Sequence, residues 1–262
     1  MNSERICLAL DDAIKKVTSE KEVAIAFSGG IDSGLIAGIA NMYAKSIVLY
    51  SVGKVKSYDV INSEYAASQL GLKWNHIDLN EENIEPILRE MIRVTGTVSP
   101  LTLSFEVPTF CVTKFCKEEH VLGGIGADEL FAGYHKYIGM NEDEFFKTRD
   151  DDLKRLLTSV IEHEDKVAKY FGKKIYRPFT DSKLMEIALS LPFEEIEPKN
   201  ELSRKKLLKT ISLKMGCEFL AEAKKKAAQY GSGTTELIKS ISKKKGMTQS
   251  EYILKLCQEE LD

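Results

Sequence analysis

The chain has 262 residues with 37 Lys and Arg against 40 Asp and Glu, a formal net charge of -3, and 43% of its residues are hydrophobic. With 6 Pro and 17 Gly, this composition excludes collagen-like and disordered chains and fits one large globular unit or two small ones. No run approaches the 18 apolar residues of a membrane span, and the start MNSERICLALDDAIKKV has no secretory pattern, so a cytoplasmic protein without a membrane partner is expected. Cys7, Cys111, Cys116, Cys217 and Cys257 are odd in number and never spaced C-x-x-C, which points to reduced thiols.

Short β-rich runs alternate with amphipathic stretches through the first 125 residues. The predicted strands are Val23 to Phe27, Ser46 to Tyr50, Lys73 to Leu79 and His120 to Gly124; helical patterns fall at 31–44, 58–71, 81–94 and 105–118, with Gly71 as a helix C-cap. This β-α repetition predicts a doubly wound parallel sheet with ligands at the carboxyl ends of its strands. After Tyr137 the character changes. Residues 141–262 read as helices without strand alternation, broken at Lys173 to Asp181 and at Gln229 to Gly233. An α/β core over 1–140 and a helical half over 141–262, packed on the sheet as part of the same domain, are expected. Residues 199–246 hold 13 Lys and Arg against 4 Asp and Glu, a local charge of +9, suited either to a solvated surface or to phosphates of a nucleotide or RNA.

The run Ala26 to Gly34, AFSGGIDSG, breaks an apolar strand into Ser28-Gly29-Gly30 and opens a helix with Asp32 and Ser33 in its first turn. Adjacent glycines allow close backbone approach, and the helix N–H groups make an anion site. Asp32 is consistent there with holding Mg²⁺ against phosphate oxygens. Neither G-x-G-x-x-G nor G-x-x-x-x-G-K-[ST] is present.

Ser28 to Ser33 resembles the SGGxDS pyrophosphate loop of the ATP pyrophosphatases. Gly124 to Tyr134, GIGADELFAGY, is similar to GEGADELFGGY of the asparagine synthetases and the related β-lactam synthetases. Weaker echoes are Tyr50-Ser51-Val52-Gly53, Arg177-Pro178-Phe179 with Asp181, Lys205 to Lys209 against K-x-x-L-R, and Lys224 to Lys226 ahead of Gln229-Tyr230-Gly231; the likeness spans roughly residues 20–235. It implies an adenine nucleotide α-hydrolase-like fold. The implied activity is that of an ATP-dependent ligase, which adenylates a small-molecule carboxylate, releases pyrophosphate and forms an amide.

The same resemblance implies that Asp32 and Asp128 ligate Mg²⁺ and serve catalysis together with Lys226, for which Lys224 or Lys225 are alternatives. It places ATP at Phe27, Ser28, Gly29, Gly30, Asp32, Ser33, Ser51, Val52, Gly123 and Gly124. Ile125 stands where amide-forming members have a glutamate, and an isoleucine moves no proton. Either Glu129, Glu106 or His76 substitutes, or the nucleophile arrives neutral, or the product is not asparagine. Position 2 is Asn rather than the Cys of a glutaminase. The expectation is free ammonia, a separate glutaminase subunit or another amine as nitrogen source. A homo-oligomer, a tRNA-modifying ATP pyrophosphatase and a non-catalytic nucleotide-binding subunit remain alternatives.

Overall fold

The computed structural model describes residues 2–223 and 228–261. In chain order the elements are α1 (Asn2–Thr18), β1 (Glu22–Ala26), α2 (Ile31–Ala40), β2 (Ser46–Gly53), α3 (Tyr58–Leu70), β3 (Lys73–Asp78), α4 (Ile84–Thr95), α5 (Pro100–Phe115), β4 (His120–Leu122) and α6 (Ala127–Leu130). They continue with α7 (Glu142–Arg155), a π-helical turn (Leu156–Val160), α8 (Ile161–Phe171), β5 (Lys174–Tyr176), α9 (Ser182–Leu189), α10 (Phe193–Ile196) and α11 (Lys206–Lys214). The last are α12 (Glu218–Glu222), α13 (Ala228–Gly231), α14 (Thr234–Lys244) and α15 (Gln249–Leu261).

All the strands pair in parallel, in the order β3-β2-β1-β4-β5. The strand residues alternate between two cores, as expected of a sheet covered on both faces. Val23, Ile25, Ile47, Leu49 and Leu122 join the side chains of α1, α2, α9 and α11. Ala24, Val48, Tyr50, Val52 and Val121 face α4, α5, α14 and α15. The final helices therefore lie against a face of the sheet, and Arg89 of α4 fastens them through ion pairs to Glu259 and Glu260.

The predicted elements of the first half are present with shifted ends. α2 stops at Ala40 rather than 44, and α5 starts at Pro100, where Ser99 caps the helix and proline occupies the first turn. Gly71 caps α3 with φ +65°. Two elements go beyond the sequence reading. α1 precedes the sheet and buries Ile6, Leu10 and Ile14 against it. The reading of 141–262 as free of strands is corrected by β5, inside the break at Lys173 to Asp181. β5 is a three-residue edge strand with no fully buried side chain, too short to show alternation; its pairing with β4 is what defines it. The five cysteines are free thiols. Among the described residues no helix is long and apolar enough to cross a membrane.

Candidate functional site

In the strand order 3-2-1-4-5, β1 is followed by a helix on one face and β4 is preceded by a helix on the other, so a crevice opens between their carboxyl ends. The two sequence motifs leave the sheet at that crevice. Ser28 to Ser33 follows β1 and Gly123 to Gly133 follows β4. Gly124 approaches so closely that a Cβ on it would stand 3.2 Å from Cβ of Asp32.

The loop after β1 is held by short polar contacts. The Ser33 hydroxyl donates to the Gly30 carbonyl at 3.4 Å and accepts from the Ser28 N–H at 3.3 Å, while Asn62 of α3 donates to the Ser28 carbonyl. Gly29 has φ +71°, and a Cβ there would stand 2.7 Å from the backbone of Asn62 and Ser63, so only glycine fits. No side chain caps the N-terminus of α2, leaving its first N–H groups available to an anion.

Asp32 and Asp128 are brought together by Lys205. Its ammonium pairs with Asp32 and lies 2.8 Å from Oδ1 of Asp128. Lys205 is 2% exposed and adopts a left-handed conformation, φ +54°, at the N-cap of α11. A non-glycine residue held there is backbone strain that the surrounding contacts must over-determine. Arg204 supplies one, donating to the Gly133 carbonyl at 2.9 Å. Burial pushes the Lys205 pKa down, and the Asp32 carboxylate works in the opposite direction.

These residues suit a cation bound with phosphates. Oδ1 of Asp32 is buried without a hydrogen-bond partner among the described residues, and Lys205 puts a positive charge between the two carboxylates. No group of three or more His, Cys, Asp or Glu among the described residues is placed to hold a metal. Asp32 and Asp128 would thus share Mg²⁺ with phosphate and water oxygens, the usual arrangement for this ion.

The other predicted residues divide by position. Phe27 and Val52 are core side chains at the ends of β1 and β2. Ser51 is committed to the fold, its hydroxyl donating to the Phe27 carbonyl at 2.6 Å and accepting from the Trp74 indole at 2.9 Å. Gly123 donates its N–H to Tyr176 of β5 and has open space where a Cβ would be. Ile125 packs with Leu153, Leu156 and Val160. Arg177 pairs with Glu164 and Asp165, Phe179 is buried, and Asp181 caps α9, so that echo is used by the fold.

Lys224, Lys225 and Lys226 lie outside the described residues. The segment after them docks on the rim of β2: Lys54 donates its backbone N–H to Ser232, and a Cβ on Gly53 would stand 2.7 Å from the Ser232 carbonyl. Lys205 is the residue to which sequence reasoning gave no role. Its one sequence mark is the K-x-x-L echo, which does not say which lysine turns inward.

The chain matches the Asparagine synthase family model over residues 6–151. A curated protein named "Putative asparagine synthetase 1, glutamine-hydrolyzing" from Methanocaldococcus jannaschii is 30% identical, with 91% of this chain and 51% of that protein aligned. The glutamine-hydrolyzing asparagine synthetase of Gallus gallus is 24% identical over 72% of this chain and 36% of its own length. The chain thus spans about half the length of the first relative and just over a third of the second. Among solved structures, the NH3-dependent NAD synthetase of Campylobacter jejuni aligns over 77% of this chain and 94% of its own, with 16% identity and a TM-score of 0.35.

Proposed function

The chain belongs to the asparagine synthase family, and from that premise we propose that it is an ATP-dependent carbon-nitrogen ligase, which adenylates a carboxylate and passes the acyl group to a nitrogen nucleophile. One observation carries the reading: two aspartates from separate strand ends meet on a single buried ammonium beside a glycine loop. Chemistry at phosphorus depends on positioning and charge neutralisation, and this constellation is of that kind.

The free N–H groups of α2 and the backbone of Gly29 and Gly30 receive the departing pyrophosphate, with the Ser28 and Ser33 hydroxyls beside them. Phe27, Ser51, Val52, Gly123 and Gly124 line the adenosine through their backbone and packing. Asp32 and Asp128 would hold Mg²⁺, which would supply charge neutralisation to the phosphates. Lys205, sharing those carboxylates, turns to the phosphate oxygens when nucleotide enters, and Lys226 is the second cation. The nitrogen comes from free ammonia, a separate glutaminase subunit or an amine substrate, and the reaction belongs to the cytoplasm.

The test is ATP–pyrophosphate exchange with Mg²⁺ over a panel of carboxylic acids. Exchange supported by one acid is expected. Pyrophosphate release that requires tRNA instead, or ATP binding with no turnover for any acid, would overturn the reading.

A further inference from the structure

Acyl transfer from an adenylate to nitrogen leaves a proton to be removed, and Ile125 has no atom to take it. Of two other polar groups near the sheet's rim, one is engaged and one stands on the far edge of the sheet from β4. Glu129 accepts the Tyr134 hydroxyl at 2.7 Å, and His76, on edge strand β3, holds Nε2 2.8 Å from the Gly53 carbonyl.

Glu106 is arranged differently. It lies buried in the second turn of α5, and its carboxylate oxygens stand 3.0 and 3.2 Å from Nδ1 of His163, in the first turn of α8. Nε2 of His163 has no hydrogen-bond partner among the described residues, and the side chain is 14% exposed. The pair is therefore closed at its carboxylate end and open at its imidazole end. Its height on the sheet is fixed by the next residue. Glu164 accepts from Nε of Arg177 at 2.6 Å; Arg177 directly follows β5, whose Tyr176 carbonyl accepts from the Gly123 N–H. The first turn of α8 thus stands at the carboxyl rim beside the loop of Ile125, and Phe105, next to Glu106 on α5, and Val160, at the end of the π-helical turn that leads into α8, pack with Ile125 in one apolar cluster.

We propose that Nε2 of His163 accepts the proton of the incoming ammonia or primary amine, with Glu106 as the positioning residue that orients the imidazole; this deepens, and rests on, the ligase reading. The nitrogen lone pair forms the N–C bond at the acyl carbon, and the C–O bond to AMP breaks with its electrons leaving on AMP. The proton passes from nitrogen to Nε2 and then to solvent. Burial, aided by the negative charge of Glu164, pushes the Glu106 carboxyl up to about 8; burial and Lys166 push His163 down. The other charges around them are Arg177, which pairs with Glu164, and Glu162, which pairs with Lys166. Nε2 accepts a proton in the form of the pair in which Glu106 is ionised and Nδ1 carries the imidazole proton.

His163→Asn, Glu106→Gln and Glu106→Asp, made in this chain, are compared with the wild type in two assays. One is ATP–pyrophosphate exchange over the acid panel, with L-aspartate first; the other is product formation from the same acids with ammonium chloride or with hydroxylamine, a strong nucleophile already neutral at pH 7. Exchange is expected to stay within about threefold, whereas ammonia-dependent amide formation falls about 100-fold or more in His163→Asn. Hydroxylamine use is expected to be largely spared, and Glu106→Asp to retain more amide formation than Glu106→Gln. Unchanged amide formation in His163→Asn, or exchange and amide formation falling together, overturns the assignment. Absence of exchange in the wild type with every acid overturns the ligase reading and this inference with it. The partly exposed His163 position keeps the proposal testable if a Glu106 variant fails to fold.

Discussion

A Cβ placed on Gly133 would stand 1.8 Å from Oδ1 of Asp128 and 2.2 Å from Cε of Lys205. The turn that closes the second motif is thus packed directly on the charged centre, and any side chain there would have to push both groups aside. Gly133→Ala is expected to displace both side chains, to cost about 1–3 kcal/mol of stability as overpacking does, and to lower exchange by at least about 100-fold. Exchange assays and thermal melting check this; full activity would show that the centre has room the distances deny.

Lys205→Met leaves Asp32 and Asp128 without their shared counter-charge. Removing one partner of a buried ion pair costs about 3–5 kcal/mol, so the variant is expected to melt lower in EDTA. Mg²⁺ should restore part of that loss, because a divalent ion fills the same electrostatic role. The measurement is the rise in Tm on replacing EDTA with Mg²⁺, expected to be larger in the variant than in the wild type. Equal rises would argue that the carboxylates do not bind the metal together.

Asp32→Asn and Asp128→Asn each remove a negative metal ligand and are expected to abolish exchange, while Ile125→Glu should leave exchange within a fewfold of the wild type. The contrast follows from position. The aspartates touch Lys205, whereas Ile125 packs, partly buried, against Leu153, Leu156 and Val160. Asp128→Asn with undiminished exchange would remove Asp128 from the metal site.

Glu106 makes stability depend on pH. Its carboxyl ionises near 4.5 ordinarily and about 8 in the fold, so the folded chain binds more protons in between, and this contribution to stability is lost as pH rises through that window. His163, pushed below its ordinary 6.5, opposes that slope at lower pH, because there the unfolded chain binds the extra proton. Between about pH 6.5 and 8 His163 no longer opposes it, and the contribution of Glu106 to the loss is on the order of 2 kcal/mol. Glu106→Gln is expected to flatten denaturant-midpoint curves over this interval and to exceed the wild type in stability above pH 8. A wild type with no decline from pH 6.5 to 8 would contradict it.

How much of the molecule was legible in the sequence depended on range. Val23 to Phe27, Ser46 to Tyr50 and the Gly71 cap declare themselves because burial on both faces, and a left-handed φ, restrict residue type locally. β5 does not, since three residues at a sheet edge with no fully buried side chain carry no period. The Tyr50-Ser51-Val52 run was legible as a strand end, but the engagement of the Ser51 hydroxyl by Phe27 and Trp74 depends on the neighbouring strands.

The sequence by itself determined the β-α alternation of the first half, the glycine loop and the two aspartate-bearing motifs, because strand period, φ > 0 and helix starts are constraints between residues a few places apart. Only the tertiary structure decided that β1 and β4 are neighbours, that Lys205 joins Asp32 from 173 residues away, and that His163 meets Glu106 across 57. Those choices are set by strand order and helix packing, and the charge on a buried lysine or carboxyl takes its meaning from what the fold places beside it.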